Sequence, residues 1–263
     1  METAPPKILA SVATPLIEPE ESFDPEIQAF FSDCSKKLDT HHDRYERVVK
    51  LSRDITIESK RVIFLLHRVQ DETSKMKICN EAEGKLQVVI NSSWNRLAKE
   101  LVGQDHHHYL RAYSPGLQEF IEAISFLQFL RDGNLINLEE VQSRLTYSEE
   151  LKVPVPVYEY LLGIADLTGE LMRLCINAVG RGETQLVFNT CMSLRKIHEA
   201  LSSLNLGFQR ELKRKLQVSR QSLQKVETAC YTVQVRGSEI PKELLAAKAV
   251  LSDDNPTWNE EYD

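Results

Sequence analysis

The 263-residue sequence predicts an all-α protein of about seven helices in one domain, and three observations carry that expectation. Apolar residues recur at helical spacing over most of the chain, prolines and glycines cluster between those stretches, and hairpin signals are nearly absent. Asp132-Gly133 joins two helical patterns rather than two alternating ones. The one β-like stretch, Lys152 to Val157, is broken by its own prolines. No repeat of solenoid period is found.

The elements follow in order. Met1 to Glu21 contains Pro5, Pro6, Pro15 and Pro19 and reads, over 1–22, as a flexible acidic arm. Asp24-Pro25 supplies an N-cap with proline at the first helical position. Val48, Leu51, Ile55, Val62, Leu66 and Val69 hold one face of a helix predicted from 24 to about 70, a length that suits an extended bundle or an assembly. A second helix, about 76–110, carries Leu86, Val89, Ile90, Trp94, Leu97 and Leu101. Ser114-Pro115 opens a third, ended by Asp132-Gly133-Asn134, and Asn137 with Glu140 three residues on gives a short helix a capping-box spacing. Pro154 and Pro156 lead into a strongly periodic helix to about Ala178, stopped by Gly180 and Gly182. Helices of roughly 184–204 and 208–235, the last ended by Gly237, complete a domain over 23–250, and 251–263 is an acidic tail.

No apolar run reaches the ~18 residues that span a bilayer, and the N-terminus has no signal-peptide pattern, so an intracellular chain is expected, in the cytoplasm and also the nucleus. Five cysteines, odd in number, scattered and never in a CxxC, argue for reduced buried thiols and against a conventional zinc site or disulfide framework. The net charge of −7 disfavours nucleic acid until its distribution is considered. Residues 1–40 hold eight acids against three bases and 251–263 five acids and no base, which leaves the body from 41 to 250 at +3.

Four acids are the candidate chemistry. Glu119 and Glu122 are spaced i,i+3 and Asp166 and Glu170 i,i+4, so each pair shares a helix face. Two facing pairs would make an all-oxygen pocket for Mg²⁺, with Mn²⁺ as substitute, the equipment that activates water against a phosphodiester. On the first helix, Leu117, Ile121, Ile124 and Gln128 take one side, while Phe126, Phe129 and Leu130 continue the stripe below Glu119 and Glu122. Carboxylates above an aromatic patch need a cation or hydrogen bonds. On the second, Glu159, Asp166, Glu170, Arg173 and Asn177 form one polar stripe, which periodicity alone reads as an outer face. Gly163 and Gly169 flank those acids and suggest close approach of a backbone or ligand.

Basic residues gather in two places: Lys50, Arg61 and Arg68 with Arg47 near the first helix, and Arg210, Lys213, Arg214, Lys215, Arg220 and Lys225 on the last. Arg173, one turn past Glu170, either neutralises it or contacts a phosphate. The run His106-His107-His108 is discounted as a metal motif, because consecutive helical residues point about 100° apart. No Walker loop, Rossmann fingerprint or nucleophile elbow is present.

At these residues the chain resembles the translin family, and within it the TRAX branch. The resemblance lies in His42-Asp43-Arg44-Tyr45-Glu46-Arg47, Lys50 to Thr56, Glu58 to Arg61 with Phe64 to Arg68, Gly116-Leu117-Gln118-Glu119 with Glu122-Ala123, Tyr160-Leu161-Leu162-Gly163, Ala165 to Arg173, and Val235 to Lys242. It extends from about 25 to 245, and the run Asp166-Leu167-Thr168-Gly169-Glu170 is similar to TRAX rather than to translin. It implies a translin-like elongated helical bundle, assembly with translin into a closed barrel, an octamer, and Mg²⁺-dependent endoribonuclease activity on single-stranded RNA, with single-stranded DNA as a further ligand. The RNAs implied are nicked passenger strands in RNA silencing and tRNA-processing fragments. In that family the metal is held by acids matching Glu119, Glu122 and Asp166, completed by the one matching Glu170. Lys50, Arg61, Arg68, Arg173, Lys213 and Arg214 are then the candidate RNA contacts. The arm lacks the basic localisation stretch of animal members, and the segment from Tyr147 to Val157 is short where they carry a long loop. A non-catalytic nucleic-acid-binding or scaffolding subunit is the alternative reading. A ferritin-like di-metal protein is disfavoured, because neither acid pair contains Glu-x-x-His.

Overall fold

A computed structural model describes residues 24–207 and 209–236; the expected arm, the acidic tail and the stop at Gly237 lie outside the described residues. The chain divides into two compact units at Asp43 and Arg44, and the described part of the first is the opening of α1 (Pro25–Leu66). Asp24 starts that helix as expected, its Oδ1 accepting from the Glu26 amide at 3.0 Å. The helix stops a turn before residue 70, and the amides of His67 and Arg68 close onto the carbonyls of Ile63 and Leu65.

α2 (Glu72–Val89), a π-helical turn (Ile90–Trp94) and α3 (Asn95–Leu101) run on from one another. Their start at a capping box of Asp71 and Ser74 precedes the expected position, because serine at the third position does the work usually given to Glu or Gln. The wider π turn leaves the Ile90 carbonyl room for a second donor, and the Tyr147 hydroxyl donates to it at 2.5 Å. The run ends at Leu101, with Gly103 in the left-handed region, rather than near 110.

α4 (His107–Asp132) begins seven residues before Ser114, the expected start, and Pro115 lies inside it. Packing overrides the proline here: Tyr109, Ala112 and Tyr113, all upstream of it, are buried. The Ser52 hydroxyl of α1 accepts from the Gly116 amide at 3.1 Å, and the two helices meet so closely that a Cβ on Gly116 would come within 2.8 Å of the Ser52 carbonyl. α5 (Leu138–Arg144) carries the expected Asn137–Glu140 capping box. α6 (Val157–Arg181) passes through Gly180 and ends at Gly182, φ 74°. α7 (Thr184–Ser202) and α8 (Arg210–Arg236) follow.

Counting the π-interrupted run as one gives seven helices, and the only β pairing among the described residues is the isolated bridge Thr146–Lys152. The order of the contacts sets directions within the second unit. Ser52 and Lys60 of α1 and His67 just past its end meet Gly116, Glu119 and Phe126 of α4 in turn, so the two helices run parallel. Glu159 and Gly163 of α6 meet Ser114 and Ile121 in the same sense. α2 and α3 run antiparallel to α4, bringing Trp94 edge-on to Phe120 at 5.4 Å, a pair worth about 1 kcal/mol beyond its buried area. Polar positions on α1, α4 and α6 are thereby brought together alongside a continuous apolar core.

Candidate functional site

The parallel packing of α4 and α6 rests on Gly163. A Cβ there would stand 2.7 Å from Ile121 Cγ2 and 2.9 Å from the Gln118 carbonyl, so only glycine lets the two helices approach this closely. Gly169, expected to serve the same purpose, faces open space. The expectation that the α6 stripe is an outer face is corrected at its N-terminal end. Glu159 is buried and accepts from Ser114 Oγ at 2.6 Å and Gln118 Nε2 at 2.7 Å. α6 packs against α4, α7 and α8, so little of its surface is left for solvent. Within the stripe only Arg173 and Asn177, at the far end, are exposed.

Two turns on along α6 from Glu159, the four acids come together. Glu122 is buried, 8% exposed, and makes no hydrogen bond or ion pair with another described residue. Burial raises its pKa, and the charges of Asp166, Glu119 and Glu170 add to that, so its carboxyl is pushed up to about 9. Burial also raises Glu119, against the opposing pull of Lys60, and raises Asp166, against its hydrogen bond from Lys215. As placed, no three of these carboxylates bring oxygens within 4.8 Å of one another.

Protein cations hold three of the four. Lys60 Nζ lies 3.6 Å from Glu119. Lys215 Nζ, itself 11% exposed, donates to Asp166 Oδ2 at 2.5 Å and to Gln118 Oε1 at 2.8 Å. Glu170 meets His67 Nε2 at 2.5 Å and Arg173 at 3.3 Å, and the His67 ring rests on Phe126, centroids 4.8 Å apart. His67 Nδ1 is buried without a partner. The donor set suits a hard divalent cation: it is all carboxylate oxygen, and its most buried member has no cation of its own.

Sequence reasoning did not single out Lys60, His67 or Gln118, and it took Lys215 for one more member of a basic run. One signal was available. Lys60 and His67 are seven residues apart, hence on one face of α1. Of the candidate RNA contacts, Lys50 and Arg61 are exposed and paired with Glu46 at 3.8 Å and Glu58 at 2.5 Å. Arg68, Lys213 and Arg214 are exposed, and Arg214 is close enough to Asp166 to lower its pKa.

Fold and site together define an all-α chain that gathers acids from two parallel helices into a part-buried polar cluster. The Translin family model matches residues 43–237, and the chain belongs to the translin family. It is similar to translin-associated protein X of Rattus norvegicus, 44% identical over 236 residues, covering 82% of this chain and 81% of that one. The translin-associated protein X homolog of Schizosaccharomyces pombe is 29% identical over 77% of this chain and 86% of its own, and Homo sapiens translin 22% identical over 84% and 97%. Among solved structures, apo-NeC3PO aligns with TM-score 0.60 at 19% identity, covering 78% of this chain and 96% of that one. The AfC3PO–duplex RNA complex aligns with TM-score 0.58 at 21% identity, covering 80% and 99%. These two share the fold.

Proposed function

We propose that the chain is the catalytic subunit of a complex with translin, a metal-dependent endoribonuclease acting on single-stranded RNA. The observation that carries this reading is Glu122: a carboxyl buried among three others, with no partner cation, beside three acids that each have one. The likeness to translin-associated protein X and to a C3PO solved with RNA supports it.

Glu119, Glu122, Asp166 and Glu170 would hold Mg²⁺ or Mn²⁺. What such an ion supplies when bound is Lewis acidity toward phosphoryl oxygens and a lowered pKa for water. The chain's own residues do the rest. Burial and the neighbouring acids favour the protonated form of Glu122 at neutral pH, and as a ligand it would bind as the carboxylate. Lys215 fixes Asp166 against Gln118, which is itself tied to Glu159, so the acid is oriented by a chain of hydrogen bonds. His67 holds Glu170 in the same way. Arg173, 3.3 Å from Glu170, and Arg214, close enough to Asp166 to lower its pKa, would receive backbone phosphates, and the exposed Lys213, Lys50, Arg61 and Arg68 would add further phosphate contacts. Passenger strands of silencing duplexes and tRNA fragments are the substrates we assign.

The test is cleavage of single-stranded RNA by the chain assembled with translin, in Mg²⁺ and in EDTA, for wild type and Glu122→Ala. Cleavage that needs Mg²⁺ and is lost in the variant is expected. Cleavage that survives Glu122→Ala would reject the site. The second reading, a non-catalytic nucleic-acid-binding subunit of the same complex, is favoured by the ion pairs that Lys60, Lys215 and Arg173 already make with Glu119, Asp166 and Glu170. It predicts RNA binding without cleavage by wild type.

A further inference from the structure

The histidine run set aside on helical geometry is preceded by an acid that is not helical. α4 starts at His107 and His106 already has helical φ and ψ, so Asp105, outside the helix, is the residue free to turn toward both rings. The result is convergence. One ligand atom each from Asp105, His106 and His107 lies within 4.8 Å of the other two, the only such group of His, Cys, Asp or Glu among the described residues.

We propose that Asp105, His106 and His107 form a second metal site, for Zn²⁺ or a similar borderline ion and chemically distinct from the four-acid site. Two imidazole nitrogens and one carboxylate oxygen suit such an ion, whereas Mg²⁺ prefers oxygen throughout. The carboxylate is already in position. Asp105 Oδ1 accepts the His107 amide at 3.0 Å, which orients the group and leaves its other oxygen for the ion. The two imidazole rings lie with centroids 4.0 Å apart at 36°, and a nitrogen of each comes within 4.8 Å of the other. The positive end of the α4 dipole opposes a cation here, and the Asp105 charge offsets it. Ligand atoms of a tetrahedral Zn²⁺ stand about 3.4 Å apart, so side-chain rotations of about an ångström close the site around the ion. Three protein ligands leave a fourth position for water or for a group from another chain. Bound there, the ion would fasten the turn that begins the helix carrying Glu119 and Glu122.

The experiment is calorimetric titration of the full chain, in its purified assembly, with Zn²⁺ in saturating Mg²⁺, which fills the all-oxygen site. One Zn²⁺ per chain is expected, with affinity falling at least tenfold in His106→Ala and in His107→Ala and unchanged in Glu122→Gln. The first two positions lie outside the core, so both variants should fold, and circular dichroism checks this. A Zn²⁺-dependent rise in melting temperature should disappear in the same two variants. No saturable Zn²⁺ step, or a step that persists in the double variant His106→Ala/His107→Ala, overturns the proposal. Neither result touches the ribonuclease reading, which stands or falls on RNA cleavage.

Discussion

Replacing Glu122 with glutamine should make the cation-free protein more stable, increasingly so as pH rises. The folded-state carboxyl titrates near 9, against 4.5 for the ordinary group. Between those values the native chain holds a proton that the unfolded chain releases, so the slope of unfolding free energy with pH is negative. Stability from this group is whole below the unfolded pKa and is lost as pH rises toward the folded one. At about 1.4 kcal/mol per unit, the loss between about pH 6 and pH 8 is close to 3 kcal/mol, an upper value because water and side-chain relaxation soften the environment. Glutamine keeps the shape and cannot ionise, so the gap between variant and wild type should widen by up to that amount, or roughly 6–12 °C in melting temperature for a domain of this size. Urea unfolding followed by circular dichroism, in EDTA and at one fixed protein concentration, measures it. The concentration is fixed because assembly also contributes to apparent stability. Saturating Mg²⁺ should reverse the order, since a bound ion stabilises the wild type through the very carboxylate that the variant lacks. Parallel pH profiles for the two proteins would refute the account of Glu122 as an uncompensated buried acid.

Other substitutions test the packing that builds the site. Gly163→Ala should lower stability by about 1–3 kcal/mol, because its Cβ would collide with Ile121 and the Gln118 carbonyl, while Gly169→Ala, in open space on the same helix, should raise it by up to about 1 kcal/mol; thermal melts of the pair decide both. Asn137→Ala should cost about 1 kcal/mol through loss of the α5 capping box, read in the same melts. Lys215→Met should cost about 1–3 kcal/mol in EDTA by leaving Asp166 and Gln118 without their shared donor, and it should tighten Mg²⁺ binding by removing a competing cation, measured by calorimetry.

The fold was largely legible in the sequence because helical periodicity survives wherever one side of a helix faces the core. The boundaries that differed did so for local reasons. Asp71 caps α2 with a serine partner outside the usual pattern, and Pro115 marks an interior position because Tyr109 and Tyr113 are buried upstream of it. A proline near a serine says where a helix can begin, and packing upstream decides whether it does.

The site was half legible, and the half that was hidden has a physical cause. Glu119 and Glu122 stood out because they sit in line with Phe126 and Phe129, where a charge needs explanation. Asp166 and Glu170 lay on a stripe with Glu159 and Arg173, and a helical wheel treats a polar stripe as solvent. That inference assumes that a helix has one buried side. α6 packs against α4, α7 and α8, and its polar stripe meets cations and amides instead of water: Gln118 at Glu159, Lys215 at Asp166, His67 at Glu170. Those partners come from α4, α8 and the end of α1, about 40 to 100 residues away in sequence. Periodicity is a property of one segment and carries no term for its neighbours. The telling feature is Gly163, a residue that weakens its own helix and whose Cβ position is taken by Ile121 and the Gln118 carbonyl of α4. Gly169, beside Glu170 on the same helix, faces open space, so a mid-helix glycine next to acids marks a close approach only where a neighbouring backbone lies on its side, as at Gly163.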